Sequence, residues 1–412
     1  MSFRRLRVLC CLAGGTMGLL YPFLPLLLLD NELDTVAIGT VFGAGALVAL
    51  VAYPTWGLLA DGPLGRERSM SLAALVAAVI GVVLIAGQGD PFVVGACVVL
   101  MPFGMASWEP VSDALVLQAL GGEAARRYGR FRLWMSVGWA ATALAGGVLY
   151  AVAGPSGILV PFVVGSLLIV VVTARPRHGR SWRRSGSPGA SPRQPLLPEL
   201  RRALAVAPVL VPLLVATFLE WIVNGASGGF TAILITDLGG GAVIIGLAAA
   251  IPAIIEVPLF PATGWMSERL GLRGLYVLGL LLAGAISLVI ALVQEPVLIA
   301  LVNGLGGVSY VLRYTAVVLI VGAVLPHALR ATGQSMARFV GGGLAAIVAG
   351  PFAGVVYGSL GGPALFVICA WLLLLGAAIA WRGLRGPAFA PRAGAPPASG
   401  AGAPPASGAS AA

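Results

Sequence analysis

Gly57-Leu58-Leu59-Ala60-Asp61, followed by Gly65-Arg66-Glu67-Arg68, returns 207 residues later as Gly264-Trp265-Met266-Ser267-Glu268, followed by Arg269-Leu270-Gly271 and Arg273. In both copies a Gly stands four residues before an acid, and a Gly and an Arg follow within a few positions. The separation is half of the 412 residues, and each copy joins two long apolar stretches. A loop repeated at that distance, between matching hairpins, predicts a chain made of two related halves.

Only 10% of the residues are charged and 59% are hydrophobic, against about 25% charged in soluble domains. A soluble globular fold is excluded. Twelve apolar runs are read at 6–29, 35–60, 69–87, 91–120, 131–153, 156–174, 204–236, 241–266, 272–293, 296–325, 331–357 and 362–381. Each is near or above the roughly 20 residues that span a bilayer as a helix. They are continuous rather than alternating and too long for barrel strands. The first is too long for a signal-peptide core and is taken as a retained helix. The expected fold class is an all-α membrane protein, with twelve transmembrane helices in two pseudo-symmetric six-helix bundles.

Every one of the 25 Lys and Arg residues is Arg. Arg clusters precede span one, follow spans two, four, eight, ten and twelve, and fill 175–202, whereas Asp30, Glu32, Asp34, Asp90, Asp237 and Glu295 mark the opposite loops. This is a topology pattern and not a nucleic-acid signal. It predicts a multi-pass protein of the cell membrane with both termini cytoplasmic. The expected domains are an N-terminal bundle (1–174), a cytoplasmic linker (175–203), a C-terminal bundle (204–385) and a disordered tail (386–412). The tail repeats Gly-Ala-Pro-Pro-Ala-Ser-Gly-Ala at 394–401 and 402–409 and has no apolar face to bury. The linker Arg residues set topology or touch anionic head groups.

Without Lys there is no Gly-rich loop ending in Lys to hold a nucleotide phosphate, and no Schiff base. His178 and His327 fall in loops, so no intramembrane His relays protons or binds metal. Cys10, Cys11, Cys97 and Cys369 lack metal-ligand spacing and read as packing residues. No enzyme arrangement, metal site or cofactor is implied. The expected partners are a small-molecule substrate, protons and the lipid bilayer, with the protein acting as a monomer. A duplicated membrane half is a common build of secondary transporters, with the substrate between the halves.

Twelve spans, a central loop and the repeated Gly-x-x-x-acid loop resemble the major facilitator superfamily, over about residues 5–385. The first loop departs from that family's pattern, because Gly62 and Pro63 separate the acid from Arg66, with one extra residue. The resemblance implies that Gly57, Asp61, Gly65 and Arg66 form a conformational latch that helps hold the outward-facing state. A narrower resemblance begins at Tyr128-Gly129-Arg130-Phe131-Arg132-Leu133-Trp134-Met135-Ser136-Val137-Gly138-Trp139-Ala140, which is similar to the start of helix five in the lactose-permease-like oligosaccharide and nucleoside proton symporters. It implies that Arg132 binds substrate hydroxyls, that Trp139 stacks on a sugar ring, and that Asp113 is the acid partner of Arg132. The family's helix-ten His and Glu are missing from Leu301-Val302-Asn303-Gly304-Leu305-Gly306-Gly307. Glu256, in Ile255-Glu256-Val257-Pro258, resembles the helix-eight Glu of sugar and nucleoside relatives and is the expected coupling acid.

Charges at membrane depth cost about 2.5–3.5 kcal/mol on insertion scales, so each needs a reason. Glu109 and Asp113 share a helix face and suit either a proton carrier or two counter-ions for Arg132. Glu220, Trp221 and Asn224 offer a carboxylate, an indole and an amide to a polyhydroxylated ligand, or else line an interface. Glu256 lies between Pro252 and Pro258, where a distorted helix frees carbonyls. Arg313 and Arg338 are charge partners for Glu220 or Glu256, and the sequence does not choose between the pairings. Three functions fit: a proton-coupled symporter of a small polar solute, sugar or nucleoside; a proton-coupled exporter of drugs or metabolites; and a transport-dead sensor or lipid-handling protein. Span five lacks the Gly-Pro-Gly-Gly spacing of many exporters, which favours the first.

Overall fold

The structure is a computed structural model that describes residues 1–121, 128–174, 196–386 and 389–390. The Arg-rich segment 175–195 and the repeats of the tail lie outside the described residues.

Among these residues, eleven helical stretches are long and apolar enough to cross a membrane. Six belong to the first half: α1 (Phe3–Asp30), α2 (Thr35–Asp61), α3 (Gly65–Ala86), α4 (Pro91–Leu120), α5 (Gly129–Ala153) and α6 (Ser156–Ala174). The next is α7 (Leu210–Asp237), and it is followed by one stretch of 51 residues, Ala242–Leu292. At about 1.5 Å per residue that stretch would reach ~75 Å, far beyond a hydrocarbon core of about 30 Å. Gly271 (φ 70°, ψ 163°) breaks it, giving α8 (242–270) and α9 (272–292). Then come α10 (Pro296–Val324), α11 (Thr332–Leu360) and α12 (Gly362–Gly383). Divided at Gly271, the described residues hold twelve helical stretches of crossing length, as expected.

The acids of the Arg-free loops have local work to do. Asp34 accepts from the Ala37 N–H at 2.7 Å, Asp90 from Phe92 and Val93, and Glu295 from Leu298 at 2.7 Å. Each caps a helix start, where unpaired N–H groups and the helix dipole favour a carboxylate. The seventh span differs from expectation. The chain at 204–209 is not part of α7, because a separate helix, Leu196–Val206, ends before Pro208. Its buried Ala203 and exposed Arg201 and Arg202 make it amphipathic, and it packs on the helix His327–Arg338 that leads into α11. The expected linker boundary at 203/204 therefore falls inside a helix.

Packing follows a two-fold exchange of halves. α1 packs on α5 as α7 packs on α11, and α3 packs on α6 as α9 packs on α12. Between the halves, α5 lies on α8 and α2 lies on α11, two contacts that exchange into each other. The register is the same to the residue. A Cβ on Gly147 would sit 2.7 Å from the Ala242 carbonyl oxygen, and one on Gly354 would sit 2.5 Å from that of Thr35. Gly246 lies against the Ala143 carbonyl and Gly39 against that of Gly350. In each pair of contacts, both members shift by 207 residues. Only Gly lets two helix backbones approach this closely. All four contacts lie toward the acidic-loop end, so the halves are pinched together there. Large apolar side chains such as Val152, Phe92 and Trp371 are exposed on the outer faces, as a lipid-facing surface requires.

Candidate transport site

Below the glycine seam the halves separate around a cavity of about 840 Å³, lined from both bundles. Arg132 is three residues into α5, at the Arg-rich end. Its Nη2 donates to Glu109 Oε1 at 2.6 Å, and its Nη1 contacts the Met135 sulfur. The pair retains 36% (Arg132) and 49% (Glu109) side-chain exposure, so the cavity is open toward the Arg-rich end. Glu109 reaches Arg132 because α4 breaks its helix at Ala106–Ser107, one turn after Pro102.

Trp139, two turns further along α5, stacks on Tyr21 of α1 with ring centroids 6.3 Å apart. Its Nε1 donates across the halves to the Ala249 carbonyl at 3.3 Å. Glu256 enters from the α8 side, half-buried, on the same cavity. It makes no hydrogen bond or ion pair among the described residues. Arg132 is close enough for the two charges to act on each other. Asn224, Asn303, Ser309 and Tyr310 add to the polar lining, and Tyr310 stacks on Tyr314 at 5.7 Å.

Arg313 also faces this cavity, although it is only 6% exposed. Its Nη1 donates to Glu220 Oε1 at 2.7 Å, and its Nε donates to Ser309 Oγ at 3.0 Å. The second Glu220 oxygen accepts from the Tyr276 hydroxyl at 3.0 Å, which in turn lies 3.2 Å from the Thr217 hydroxyl. Helices α7, α9 and α10 are thus joined by a buried polar network in which each member has a partner.

Arg132, Trp139, Glu109, Asn224, Glu256 and Arg313 come together on the cavity wall. Other expected residues stand elsewhere. Asp113 is not on Arg132: Glu109 takes that place, being one turn nearer the cavity, and the Tyr128 hydroxyl is the partner of Asp113. Glu220 is behind Arg313 rather than on the wall. Trp221 packs on Gly341 of α11, where a Cβ would lie 2.6 Å from its Cδ1. Arg338 is exposed and donates to the Tyr314 hydroxyl at 3.5 Å. In the repeated loop, Arg66 lies 3.6 Å from Asp61 and donates to the Ala114 carbonyl at 3.2 Å, tying α3 to the end of α4. Gly65 (φ 72°) and Gly271 (φ 70°) both take the left-handed turn, which explains the Gly in each copy. Nothing among the described residues lies within 4 Å of a Cβ on Gly57.

Sequence reasoning followed the charges and missed Tyr21, Tyr53, Asn303 and Tyr310, all on the wall. The spacing Tyr310-x-x-x-Tyr314, one helix face, was the available signal. Among the described residues no group of His, Cys, Asp or Glu is placed to hold a metal.

A family model described as the MFS_1 like family matches residues 4–368. The chain belongs to the major facilitator superfamily of transporters. It is 34% identical to the maltose permease of Geobacillus stearothermophilus over 272 residues, 65% of this chain and 66% of that protein. It is 24% identical to the multidrug resistance protein MdtG of Salmonella typhimurium (strain LT2) over 91% of this chain and 93% of that one. Among solved structures, the nucleoside transporter NupG superposes with a TM-score of 0.77 at 15% identity, covering 93% of this chain and 99% of that chain. A bacterial homologue of the human lysosomal transporter Spinster, in an inward-facing and unoccupied conformation, gives 0.66 at 15% identity, with 92% and 95% covered. These last two likenesses are of fold. As a superfamily member the protein is a multi-pass membrane transporter, not an enzyme.

Proposed function

We propose that this protein is a proton-coupled symporter of a neutral, ring-bearing polar solute, a sugar or nucleoside, working by alternating access in the cell membrane with both termini cytoplasmic. The carrying observation is the charge balance of the cavity. Arg132 is matched by Glu109 and Arg313 by Glu220, which leaves Glu256 as the lining carboxylate without an ion-pair partner among the described residues. An unmatched carboxylate at membrane depth is costly unless it takes up a proton. With Glu256 protonated the cavity is neutral. A neutral solute and one proton then cross together when the bundles, 1–174 and 204–385, rock about the seam.

Solute recognition is assigned to Arg132 and Glu109 for hydroxyls and to the Tyr21–Trp139 platform for a ring face, with Asn224 from the other half. Asp113, on Tyr128, tunes the Arg132 end of the cavity, and Asp61–Arg66 acts as the latch at the Arg-rich end. The test is uptake of maltose and of uridine into proteoliposomes under an imposed pH gradient. Accumulation that collapses with a protonophore is expected. Binding of either solute without gradient-driven accumulation overturns proton coupling.

A second reading has an observation of its own. The likeness to MdtG spans nearly the whole chain, and much of the cavity lining is apolar. Proton-coupled export of drugs or metabolites is that reading. It is distinguished by resistance of overexpressing cells to a toxic compound, lost in Glu256→Gln.

A further inference from the structure

Arg313 is 6% exposed, yet its guanidinium is not fully used. A guanidinium carries five N–H donors in a planar fork. Nε donates to the Ser309 carbonyl and hydroxyl, and Nη1 donates to Glu220. Nη2 has no partner among the described residues, and it is not among the sealed-off polar atoms. Because Arg313 lines the cavity while Glu220 and Tyr276 do not, the free edge is the one left facing the cavity. A charged donor edge open to the cavity can exchange water for a ligand oxygen.

The placement looks built. Gly279 of α9 makes room for the side chain, since a Cβ there would lie 2.6 Å from Arg313 Cγ. Ser309 is itself fixed by donating to the Gly279 carbonyl at 2.9 Å. Tyr276 occupies the other Glu220 oxygen, so the carboxylate cannot swing away from the arginine.

We propose that the Nη2 edge of Arg313 is a solute-recognition donor of the C-terminal half, binding an uncharged oxygen acceptor, a hydroxyl or carbonyl, of the transported solute. Glu220 is its positioning residue: it orients the fork and cancels its charge, so that the site accepts a neutral oxygen without selecting anions. Arg132 and Trp139 hold the solute from the N-terminal half, and Arg313 holds it from the other, so the solute bridges the bundles. The inference rests on the transporter reading above.

The test measures binding of two neutral and anionic pairs, maltose with maltobionate and uridine with uridine monophosphate, to purified full-length protein. Arg313→Lys keeps the charge but loses the second planar edge. A fall of about tenfold or more in affinity for the neutral solute is expected, with the thermal unfolding temperature kept. Gly279→Ala, which displaces the fork without touching the cavity, gives the same direction and serves if Arg313→Lys does not fold. Glu220→Gln raises the preference for the anionic member of each pair by about tenfold, a change that a packing role does not produce. Wild-type binding left unchanged by Arg313→Lys and Gly279→Ala overturns the inference alone. So does Glu220→Gln weakening both members of a pair equally. A wild-type chain that binds neither pair overturns the sugar-or-nucleoside reading and the inference with it.

Discussion

Two ion pairs in this protein share a chemistry and differ in surroundings. Arg132–Glu109 keeps 36% and 49% exposure, so water reaches it and it can reorganise. Glu220–Arg313 keeps 6% and 8% and is enclosed by Tyr276, Thr217 and Ser309. Breaking a buried pair from one side strands a charge. Glu220→Ala is therefore expected to lower stability by about 3–5 kcal/mol, read by denaturant unfolding in detergent, while Glu220→Leu with Arg313→Leu recovers most of it. Glu256 behaves differently again, having no ion-pair partner to lose. In Glu256→Gln, solute exchange at equal pH is expected to persist while accumulation under a pH gradient falls to simple equilibration. Counterflow and gradient-driven uptake in the same proteoliposomes separate the two, and gradient-driven accumulation kept in this variant sinks the role of Glu256. Residue types flagged all these charges in the sequence. They did not choose the pairs, because Glu109 and Asp113 lie one turn apart and only the break in α4 at Ala106–Ser107 decides which of them meets Arg132.

At the scale of elements, the glycine seam carries the clearest consequence. Gly354 on Thr35 and Gly147 on Ala242 are the same contact in two copies. A branched side chain there cannot fit between backbones at this distance. Gly354→Val is expected to fold but to hold the acidic-loop end open, abolishing transport. A cysteine replacing Ser227, on the cavity wall, should then label faster with an impermeant maleimide added from the acidic-loop side. Unchanged labelling with intact transport removes the seam from the gating motion. A second duplicated device braces each bundle beside it. The Tyr150 hydroxyl donates to Asp30 at 2.6 Å and that of Tyr357 to Asp237 at 2.5 Å, and Phe23 and Phe230 pack on the two tyrosine rings. All three residues recur at the 207-residue offset of the repeated loop. The loop alone was enough to reveal the duplication. Asp30 and Asp237 were read only as loop acids and the Phe and Tyr were not singled out, because the three are far apart in sequence within each half and only packing makes them a unit.

At the scale of the whole molecule, the proposed proton coupling through Glu256 fixes the energetics expected of transport. A neutral solute crossing with one proton moves one elementary charge. An inside-negative potential at equal pH should therefore drive uptake of maltose or uridine, up to about tenfold for every ~60 mV. Uptake indifferent to potential, measured with a potassium diffusion potential, would mean that a second charge moves in compensation.

Composition and run length alone determined that the chain crosses a membrane twelve times as helices, because backbone groups in hydrocarbon leave few alternatives. Even the crossing hidden in the 51-residue helix was legible, through the Gly and Arg around position 271. The repeated loop likewise determined that there are two halves. What the tertiary structure decided is which polar side chains look inward. Glu220 and Trp221 sit on the right helix but at the wrong angle, turned toward α9, α10 and α11, while Tyr21 and Tyr310 turn toward the cavity. On a helix that is apolar nearly all round, periodicity gives no inward direction, and that direction exists only once the neighbouring helices are in place.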